Sequence, residues 1–510
     1  MKLFLAEEMH KVDAKAINKI GMSETVLMEN AGRALTEVVE KYLEETAGKS
    51  IVILTGKGNN GGDGLVAARL LAKDGARVTV VLAEPVGRFS PSSKIEYKIL
   101  QHCLVEVMPW TSNKETQEEI CQLCQSADVV LDALLGTGFK GKLRGSYKAI
   151  IEAMPEGLPV IAVDIPSGVE ANTGKMDKAL PAFLTVTMIA PKPGLYLYPG
   201  AGFSGDIWVA DLGTPGILVE EAPCSQFLLD GETVEELLPH RPVTSHKGMN
   251  GKIAVLAGGC GYVGAAELAS NATVRAGGGL VHLYTAPEAV TILATKLTEV
   301  MVEAMPLTSV AEGISTTLDA DALAVGPGLG KAVELQSFLR ELLPELGMPM
   351  VIDADGLNAF AGHTGKLKEI RNKVLTPHPA ELARLLQVTT KEVVANPVDA
   401  ALTAAKKFSA VVLLKSVPAL VATPSGKVYL NTTGNPGMAT GGCGDVLTGT
   451  IAAFLGQGLD LTEAALCGMY VHGLSGDLAA AKGAIGIKAG DLVEHLPQAI
   501  AQALGQDENL

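Results

Sequence analysis

Aromatic residues and cysteines are both scarce in this chain. Phe, Trp and Tyr together make up 4% of the 510 residues, so the hydrophobic cores have to be built mainly from Val, Leu, Ile and Ala. The seven cysteines are dispersed and odd in number, a pattern typical of reduced thiols and not of a disulfide framework. Cys121 and Cys124 form a CxxC pair, but no second pair completes a zinc site, so we interpret them as two positions on a helix.

Excess positive charge and long apolar runs are also lacking. Lysine and arginine number 41 against 56 acidic residues, a net charge of -15, which argues against a nucleic-acid-binding surface. No stretch reaches the roughly 18 charge-free apolar residues of a membrane span, and the chain turns acidic at Glu7, unlike a secretory signal. We therefore expect a cytoplasmic enzyme, a homo-oligomer with small-molecule partners and with no nucleic-acid or membrane partner.

Glycine and aliphatic residues are plentiful, and their order predicts a parallel sheet in the first half of the chain. There are 57 glycines, and 47% of the residues are hydrophobic, as in packed α/β proteins. Continuous apolar runs bounded by Gly or Pro alternate with helical stretches, which indicates strands buried on both faces. These strand candidates are Ser50–Thr55, Arg77–Ala83, Val129–Leu135, Val160–Ile165 and Leu184–Ala190.

A second α/β series follows a break in this rhythm at residues 213–225, which are rich in Gly, Pro and acidic residues. We place the domain boundary there and predict domains at 1–215 and 226–505. The fold class is therefore α/β, with two domains: an N-terminal Rossmann-like, three-layer parallel sheet and a second α/β domain. The strand candidates of the second series are Lys252–Ala257, Leu280–Thr285, Ala322–Val325, Met350–Asp353, Val411–Lys415 and a hairpin of Ala419–Thr423 with Lys427–Asn431.

A glycine-rich loop at residues 55–64 follows the first predicted strand and precedes a helix predicted from Leu65. Its spacing matches the dinucleotide fingerprint GxGxxG, so an ordinary nicotinamide dehydrogenase and a plain tight turn are both alternatives. Two more polar loops, residues 132–141 and 164–169, follow other strands of the same sheet. Because the carboxyl ends of parallel strands share one edge, the three loops are expected to converge on one ligand crevice.

The run at residues 435–447, NPGMATGGCGDVL, is the most informative in the second half. Its glycines lead into an apolar helix, so backbone amides and the helix dipole face an anion there. Asp445 lies in the first helical turn, where it can accept a proton from a hydroxyl beside a bound phosphate, as phosphoryl transfer requires. The alternative is a plain capping role.

Three other loops of the second half support this interpretation. Residues 326–330 (GPGLG) follow a strand, and His378 is held between two prolines in residues 376–379. His378 is either aimed at a ligand or is a solvated loop histidine. Asp353 and Asp355 end another strand, and we rank both below Asp445 as catalytic candidates.

Three motifs of the first half, GNNGGDGLVAAR (58–69), DALLGTG (132–138) and DIPSGV (164–169), resemble the NAD(P)H-hydrate epimerase domain over about residues 1–212. The resemblance implies a potassium ion held by Asn60, Asp132 and Ser167. Epimerisation needs an acid/base group to help the ring hydroxyl leave and return; Asp164 is the candidate, with a turn-capping role as its alternative, and Lys192 is a possible helper. The resemblance further implies that the hydrated cofactor contacts Asn59, Asn60, Gly61, Gly62, Asp63, Gly136, Thr137, Gly138, Phe139, Lys140, Gly141, Lys142 and Asp164.

The second half resembles the ribokinase-like superfamily and, within it, the NAD(P)H-hydrate dehydratases, over about residues 226–503. The motifs are SHKGMNG (245–251), GYVGAAELA (261–269), GPGLG, TPHPAELARLL (376–386) and NPGMATGGCGDVLTG (435–449). The resemblance implies hydrated-cofactor contacts at Ala265, Gly328, His378 and Asp445, and nucleotide contacts at Lys415, Ser416, Val417, Pro418, Ala419 and Gly444.

Two positions depart from the pattern of that family. Cys443 stands where Thr is usual, a change that keeps the backbone amide. The nucleotide strand usually reads Lys-Gly with a later Thr, whereas residues 415–419 read KSVPA. Pro418 removes an N–H donor and Ala419 removes a hydroxyl, so nucleotide preference is the least constrained property.

Together the two resemblances predict repair of hydrated NADH and NADPH. The first domain would interconvert the R and S epimers, and the second would dehydrate the S epimer through a phosphorylated intermediate. ADP or ATP would supply the phosphoryl group, with Mg²⁺ bridging the phosphates. Two alternatives remain: a vitamin or sugar kinase with an accessory cofactor-binding domain, and a first half that only regulates the second.

Overall fold

The computed structural model describes residues 1–305 and 318–506. The chain packs into two compact units, Lys2–Gln226 and Met1 with Phe227–Leu510. Both units are α/β, and both sheets are largely parallel. Within the described residues, none of the helices combines the length and apolar character needed to cross a membrane.

The sheet of the first unit is parallel throughout, as predicted. All five predicted strands are confirmed, each ending within two residues of its expected bounds. The two edge strands were not predicted, because they are half-exposed and lack a continuous apolar run. From edge to edge the order is Val105–Pro109, Arg77–Leu82, Ser50–Thr55, Val129–Ala133, Val160–Val163, Leu184–Met188 and Asp206–Ala210.

Helices cover both faces of this sheet, which confirms the three-layer prediction. Alternate residues of the strand Ser50–Thr55 enter opposite cores: Ile51 and Ile53 pack on one side, and Val52 and Leu54 on the other. Such alternation is the consequence of the two-residue period of a strand. The helices of the unit are Ala6–Lys15, Glu24–Leu43, Asn59–Lys73, Pro91–Leu100, Lys114–Ser126, Gly145–Ala153, Ala201–Ser204 and Gly216–Glu220, and a π-helical turn, Ala16–Ile20, continues the first of them.

The helix after the first strand begins at Asn59, so the prediction of a start at Leu65 was wrong. Part of the glycine run is helical because the helix lies very close to its neighbours. A Cβ on Gly61 would clash with the backbone carbonyl of Gly56, and one on Gly64 would lie 2.8 Å from the Cβ of Ala133. These glycines permit close packing of the helix on the sheet.

The sheet of the second unit combines parallel strands with an antiparallel hairpin at Leu420–Ala422 and Val428–Leu430, as predicted. The five predicted parallel strands are confirmed. Three strands of three or four residues were not predicted: Gln226–Leu228, Met301–Ala304 and Lys373–Leu375. The strand order is Gln226–Leu228, Val428–Leu430, Leu420–Ala422, Val411–Leu414, Lys373–Leu375, Met350–Ile352, Ala322–Val325, Lys252–Leu256, Leu280–Thr285 and Met301–Ala304.

The helix Cys443–Gly456 is the central helix of the second unit. Its side chains are buried almost all round, from Val446 to Gly456 without interruption, and it packs against Val263–Arg275 and Leu461–Ala479. This burial fixes the position of its N-terminus. The other described helices are Gly231–Leu237, Val290–Lys296, Val333–Glu345, Ala354–Asn358, Thr364–Glu369, Pro379–Leu386, Thr390–Ala395, Pro397–Phe408 and Ala489–Ala503.

Candidate active sites

A cavity of about 1040 Å³ opens where the three polar loops of the first unit meet. The predicted convergence of these loops is thereby confirmed. Gly61 and Gly62 do not line the cavity; both are buried, and a Cβ on Gly62 would press on Met28 and Ser93. The predicted site residues that line it are Asn59, Asn60, Asp63, Gly136, Thr137, Gly138, Phe139, Lys140, Gly141, Lys142, Asp164 and Lys192.

Asp164 and Lys192 form an ion pair at the cavity wall. The Nζ of Lys192 lies 2.5 Å from Oδ1 of Asp164 and also donates to Oγ1 of Thr187 and the carbonyl of Met188, both at 3.0 Å. Lys192 is 1% exposed and the side chain of Asp164 is 14% exposed. All three ammonium hydrogens have acceptors, so the geometry makes Lys192 a fixed positive partner of Asp164.

The backbone of Asp164 adopts φ +66°, a conformation that side-chain-bearing residues rarely adopt. Its Oδ1 accepts hydrogen bonds from the amide of Met188 and the hydroxyl of Thr187, both at 3.2 Å. These contacts hold the carboxylate at the cavity in spite of the local strain. They come from the adjacent strand, not from the turn that follows Asp164, so they do not support a simple turn-capping role.

The N-terminal helix Ala6–Lys15 also lines this cavity, which sequence reasoning did not predict. Asp13 is its acidic contributor, and the pKa of Asp13 is raised by burial and, further, by the charge of Asp164. The helix precedes the first strand and carries no motif, so spacing gave no signal for its role. The cavity residues missed from this region are Met9, His10, Asp13, Ala14, Ile17, Asn18, Glu24, Leu27, Met28 and Ala31.

Asp132, Ser167 and Asn60, the predicted cation ligands, meet in one oxygen-rich cluster. The hydroxyl of Ser167 lies 2.6 Å from Oδ1 of Asp132, and the amide of Ser167 donates to Oδ2 at 2.8 Å. The Asn60 amide group donates to the carbonyl of Leu135 at 3.1 Å, and the Leu135 amide donates to Ser167 Oγ. Asp132 is fully buried, and this burial raises its pKa although the Ser167 hydrogen bonds oppose the shift.

Asp445 in the second unit lies in the first turn of the central helix, as predicted. Gly442 is the N-cap residue, with φ +96°. The Asp445 amide donates to the carbonyl of Gly442 at 3.0 Å, and the amides that precede it are at the positions where a helix offers no intrahelical acceptor. Burial raises the pKa of Asp445 to about 7, and the charges of Asp353 and Asp355 add to the shift while Lys415 opposes it.

Asp353 lies near Asp445 and binds the neighbouring lysine, Lys415. It is 1% exposed, and it accepts hydrogen bonds from Nζ of Lys415 at 2.6 Å and from the hydroxyl of Thr448 at 2.8 Å. A Cβ on Gly444 would lie 3.2 Å from the Lys415 Nζ, so the ammonium group sits beside the open end of the helix. The ranking of Asp353 below Asp445 as a proton acceptor agrees with this contact set, because both Asp353 oxygens are occupied.

His472, on the helix Leu461–Ala479, is a second residue that sequence reasoning missed. Its Nε2 lies 2.8 Å from the carbonyl of Cys443. Burial lowers its pKa to about 4, and the nearby charge of Lys415 acts in the same direction. The neutral imidazole therefore supports the first turn of the central helix by donating to that carbonyl.

The remaining predicted residues of the second unit lie on neighbouring loops. A Cβ on Gly328 would lie 2.9 Å from that of Ala265, so these two predicted ligand contacts are adjacent. His378 is the N-cap of the helix Pro379–Leu386: its Nδ1 accepts the amide hydrogen of Ala380 at 3.1 Å, and its side chain is 47% exposed. The ring is thus oriented by the helix start, and ligand contact stays a prediction.

The predicted nucleotide segment, residues 415–419, forms a turn between the strands Val411–Leu414 and Leu420–Ala422. The Ser416 hydroxyl donates to the carbonyl of Pro418 at 2.7 Å, and Val417 is 75% exposed. The Lys415 amide donates to the carbonyl of Pro377, which brings the His378 loop beside this turn. Of the segment, only Lys415 reaches the Asp353 cluster through a described contact.

Comparison with known families agrees with this arrangement of two sites. The family described as NAD(P)H-hydrate dehydratase matches residues 253–498, and the YjeF-related protein N-terminus family matches residues 24–194. The bifunctional NAD(P)H-hydrate repair enzyme Nnr of Moorella thermoacetica is 40% identical over 98% of this chain and 96% of its own. This chain belongs to the bifunctional NAD(P)H-hydrate repair enzyme family.

A second bifunctional relative matches the whole chain, and a solved dehydratase matches about half of it. The Nnr protein of Thermofilum pendens is 39% identical over 99% of this chain and 97% of its own. The solved ADP/ATP-dependent NAD(P)H-hydrate dehydratase of Bacillus subtilis, co-crystallised with ATP and Mg²⁺, is 29% identical over 54% of this chain and 98% of its own, with a TM-score of 0.49. The family membership predicted from the motifs is confirmed, and Asp13 lies outside both matched ranges.

Proposed function

We propose that this chain repairs hydrated NADH and NADPH through two successive activities. Residues 1–215 interconvert the R and S epimers, and residues 226–505 dehydrate the S epimer at the expense of ADP or ATP. The observation that carries the proposal is the Asp445 carboxyl in the first turn of the buried central helix, flanked by Lys415 and Asp353. This is the arrangement that phosphoryl transfer to a substrate hydroxyl requires.

In the dehydratase site Asp445 accepts the proton of the ring hydroxyl while the hydroxyl oxygen attacks the terminal phosphoryl group. The amides at the start of the helix and the Lys415 ammonium, if released towards the phosphate, stabilise the developing negative charge. The resulting phosphate ester is a better leaving group than hydroxide, so phosphate departs with the electron pair of the carbon–oxygen bond. The adjacent ring carbon then loses a proton to water, and the new carbon–carbon double bond restores the dihydronicotinamide ring. Ionised Asp445 is needed for the first step, and its pKa of about 7 sets the pH range in which it can act.

Mg²⁺ would be held chiefly by the nucleotide phosphates. Among residues 1–305 and 318–506 no group of three His, Cys, Asp or Glu side chains forms a metal site, which fits an ion that keeps water and phosphate ligands. Bound Mg²⁺ supplies neutralisation of the phosphate oxygens. Asp445 is the carboxylate at the helix start that would orient its water ligands. The nearby Asp355 already accepts hydrogen bonds from the amide of Gly330 and the side chain of Asn358.

A potassium ion fits the Asn60, Asp132 and Ser167 cluster. Asp132 is fully buried, and no basic side chain of the described residues forms an ion pair with it. An uncompensated buried carboxylate is costly, and a monovalent cation among these oxygens would offset its charge. The bound ion would supply charge compensation for Asp132. It would also link the start of the helix that carries Asn60 to the loop that carries Ser167.

In the epimerase site Asp164 acts as an acid/base group at the cavity, and Lys192 holds it in place. The cavity of about 1040 Å³ is large enough for a dinucleotide-sized ligand, and the first-turn residues Asn59 and Asn60 lie on its wall. We also propose that the protein acts in the cytoplasm as a homo-oligomer; the seven cysteines, all free thiols, support a reducing compartment.

The decisive experiment supplies both hydrate epimers with ADP or with ATP and follows the return of dihydronicotinamide absorbance. The repair enzyme consumes both epimers and releases inorganic phosphate in step with recovered NADH. A vitamin or sugar kinase would instead yield a stable phosphorylated product without recovered NADH. If only the S epimer is consumed, beyond the uncatalysed conversion, the first unit is a binding module and the epimerase assignment is wrong.

A further inference from the structure

Two carboxyl groups in the first-unit cavity are unpaired within the described residues. Asp13 comes from the N-terminal helix and Asp63 from the second turn of the helix Asn59–Lys73, and both line the cavity. Both side chains are half-buried. Neither carboxyl makes a hydrogen bond or ion pair with any residue in the described part of the chain, whereas Asp164 in the same cavity accepts three hydrogen bonds.

Epimerisation requires more than Asp164. The hydroxyl leaves the ring carbon from one face, and water must return to the opposite face for inversion. A leaving hydroxyl needs a proton donor and an attacking water needs a proton acceptor, so each face requires its own group. Asp164 is bonded to the Lys192 ammonium at the cavity wall, and one carboxyl group cannot serve both faces of the ring at once.

We propose that Asp63 is the second acid/base residue of the epimerase site and donates a proton to the departing hydroxyl, while Asp13, the other unpaired carboxyl of the same cavity, is a positioning residue that acts through Asp63. This inference rests on the proposed epimerase function. It assigns a role to the N-terminal helix, which lies outside the matched family range of residues 24–194.

The step balances without any further reactant. The Asp63 proton moves to the hydroxyl oxygen, the carbon–oxygen bond breaks with its electron pair on oxygen, and water departs. The ring nitrogen lone pair forms a carbon–nitrogen double bond, which leaves a cationic ring. Water then attacks the same carbon from the other face, Asp164 takes one of its protons, and that proton returns to Asp63 through water in the cavity. In the reverse direction the two aspartates exchange roles.

The electrostatics of the cavity support the assignment. Burial raises the pKa of Asp63 well above its usual range, the charges of Asp164 and Asp13 raise it further, and Lys192 opposes them. The pKa of Asp13 is also raised, by burial and by the charge of Asp164, while Lys192 and His10 oppose the shift; the larger rise at Asp63 suits Asp63 to the role of proton donor. The other ionisable groups that line the cavity are Glu24, Lys57, Lys140, Lys142, Arg144 and Tyr147.

The test measures epimerisation of R-enriched hydrated NADH, without nucleotide, in the full-length protein. We expect Asp63→Asn to lower the rate by about 10²-fold or more, the usual contribution of a general acid, with little change in the dissociation constant of the hydrate. Asp13→Asn should instead move the alkaline fall of the rate to lower pH, because removing a neighbouring negative charge lowers the Asp63 pKa. Glu7→Gln is the matched control: it removes one exposed negative charge from the same helix and should leave the profile unchanged.

Dehydration of the S epimer with ADP, measured on each variant, reports whether the protein is folded. Wild-type rates and an unshifted pH profile in both Asp63→Asn and Asp13→Asn would overturn the inference while leaving the epimerase function intact. Asp63→Asn that loses hydrate binding as well as rate would also overturn it, because Asp63 would then be a binding residue. Absence of epimerisation in the wild-type protein would instead refute the proposed function itself.

Discussion

Each unit pairs a lysine with an aspartate near its candidate site, but the two units differ in whether that aspartate is the functional one. In the first unit the buried Lys192 is bonded directly to the functional carboxylate, Asp164. In the second unit Lys415 is bonded to a different aspartate, Asp353, and Asp445 keeps an excess of negative neighbours. The comparison teaches that a functional carboxyl without a bonded lysine is left to burial and to its negative neighbours, which raise the pKa of Asp445 to about 7.

The largest expected effect comes from removing the titrating carboxyl of the second unit. Asp445→Asn should lower nucleotide-dependent recovery of NADH by about 10²- to 10⁴-fold, the usual loss when a general base is removed. Epimer interconversion should be unchanged, because the first unit does not use this residue. Recovery at the wild-type rate would remove Asp445 from the mechanism, and Asp445 could then no longer be compared with Asp164 as a functional carboxyl.

Removing the lysine of the first unit should be the next most damaging change. Lys192→Met leaves the Asp164 carboxylate without its partner, and breaking a buried ion pair costs about 3–5 kcal/mol. We expect a lower midpoint of chemical denaturation, read by a probe in the first unit, and slower epimerisation. Lys178→Met is the control, since Lys178 is 60% exposed and should change neither quantity. Equal stability of both variants would show that the Asp164–Lys192 pair contributes nothing.

Asp353 should affect the pH dependence of the dehydration rate. The rate of dehydration should rise with pH to a plateau, with its midpoint near the Asp445 pKa of about 7. Asp353→Asn removes one of the negative charges that raise this pKa, so the midpoint should move to lower pH, while Asp319→Asn, at an exposed position, should not move it. A purely structural role for Asp353 would lower the rate at every pH without shifting the midpoint.

Asp445 also links pH to folding. Its carboxyl has a higher pKa in the folded protein than the usual value of 3.8, so the folded state favours the protonated form. The corresponding stability is fully present below about pH 4 and is lost as pH rises towards about 7. Asp445→Asn should therefore flatten this part of the stability profile, as measured by thermal unfolding between these pH values.

The smallest expected effect concerns nucleotide selection at the turn after the strand Val411–Leu414. Ala419→Thr restores the hydroxyl that the dehydratase family usually carries, and one added hydrogen bond contributes about 0.5–1.5 kcal/mol. We expect KM for ADP or ATP to fall by roughly 2- to 10-fold, with kcat nearly unchanged. No change in either KM would indicate that residue 419 does not contact the nucleotide.

The sequence predicted the strands well where continuous apolar runs were bounded by turns. Ser50–Thr55 agrees at both ends, because a strand buried on both faces leaves an unbroken apolar run. Leu280–Thr285 also agrees at both ends, although only its alternate residues are fully buried. The edge strand Val105–Pro109 was not predicted since its side chains are partly exposed and mixed in polarity. Strand prediction therefore failed at the sheet margins and also at Lys373–Leu375, an interior strand whose three residues are too short a run to stand out in the sequence.

The site residues divide into those with a local sequence signal and those brought to the site by packing. Asp445 was predictable because glycines and a helix start are local features. Asp13 and His472 were not, because each reaches its site only through packing of a helix distant in sequence. Gly61 was assigned to the ligand by resemblance, yet its close approach to Gly56 gives it a packing role that spacing alone does not reveal.

The tight packing of Gly61 on Gly56 has a consequence for how such sequences are compared. Since a side chain at either position would disturb the fold, a chain that had lost its epimerase chemistry would still be expected to retain both glycines. Retention of the glycine signature therefore reports an intact architecture. Asp63, whose carboxyl makes no hydrogen bond or ion pair with the described residues, is the position at which an inactive descendant would be free to diverge first.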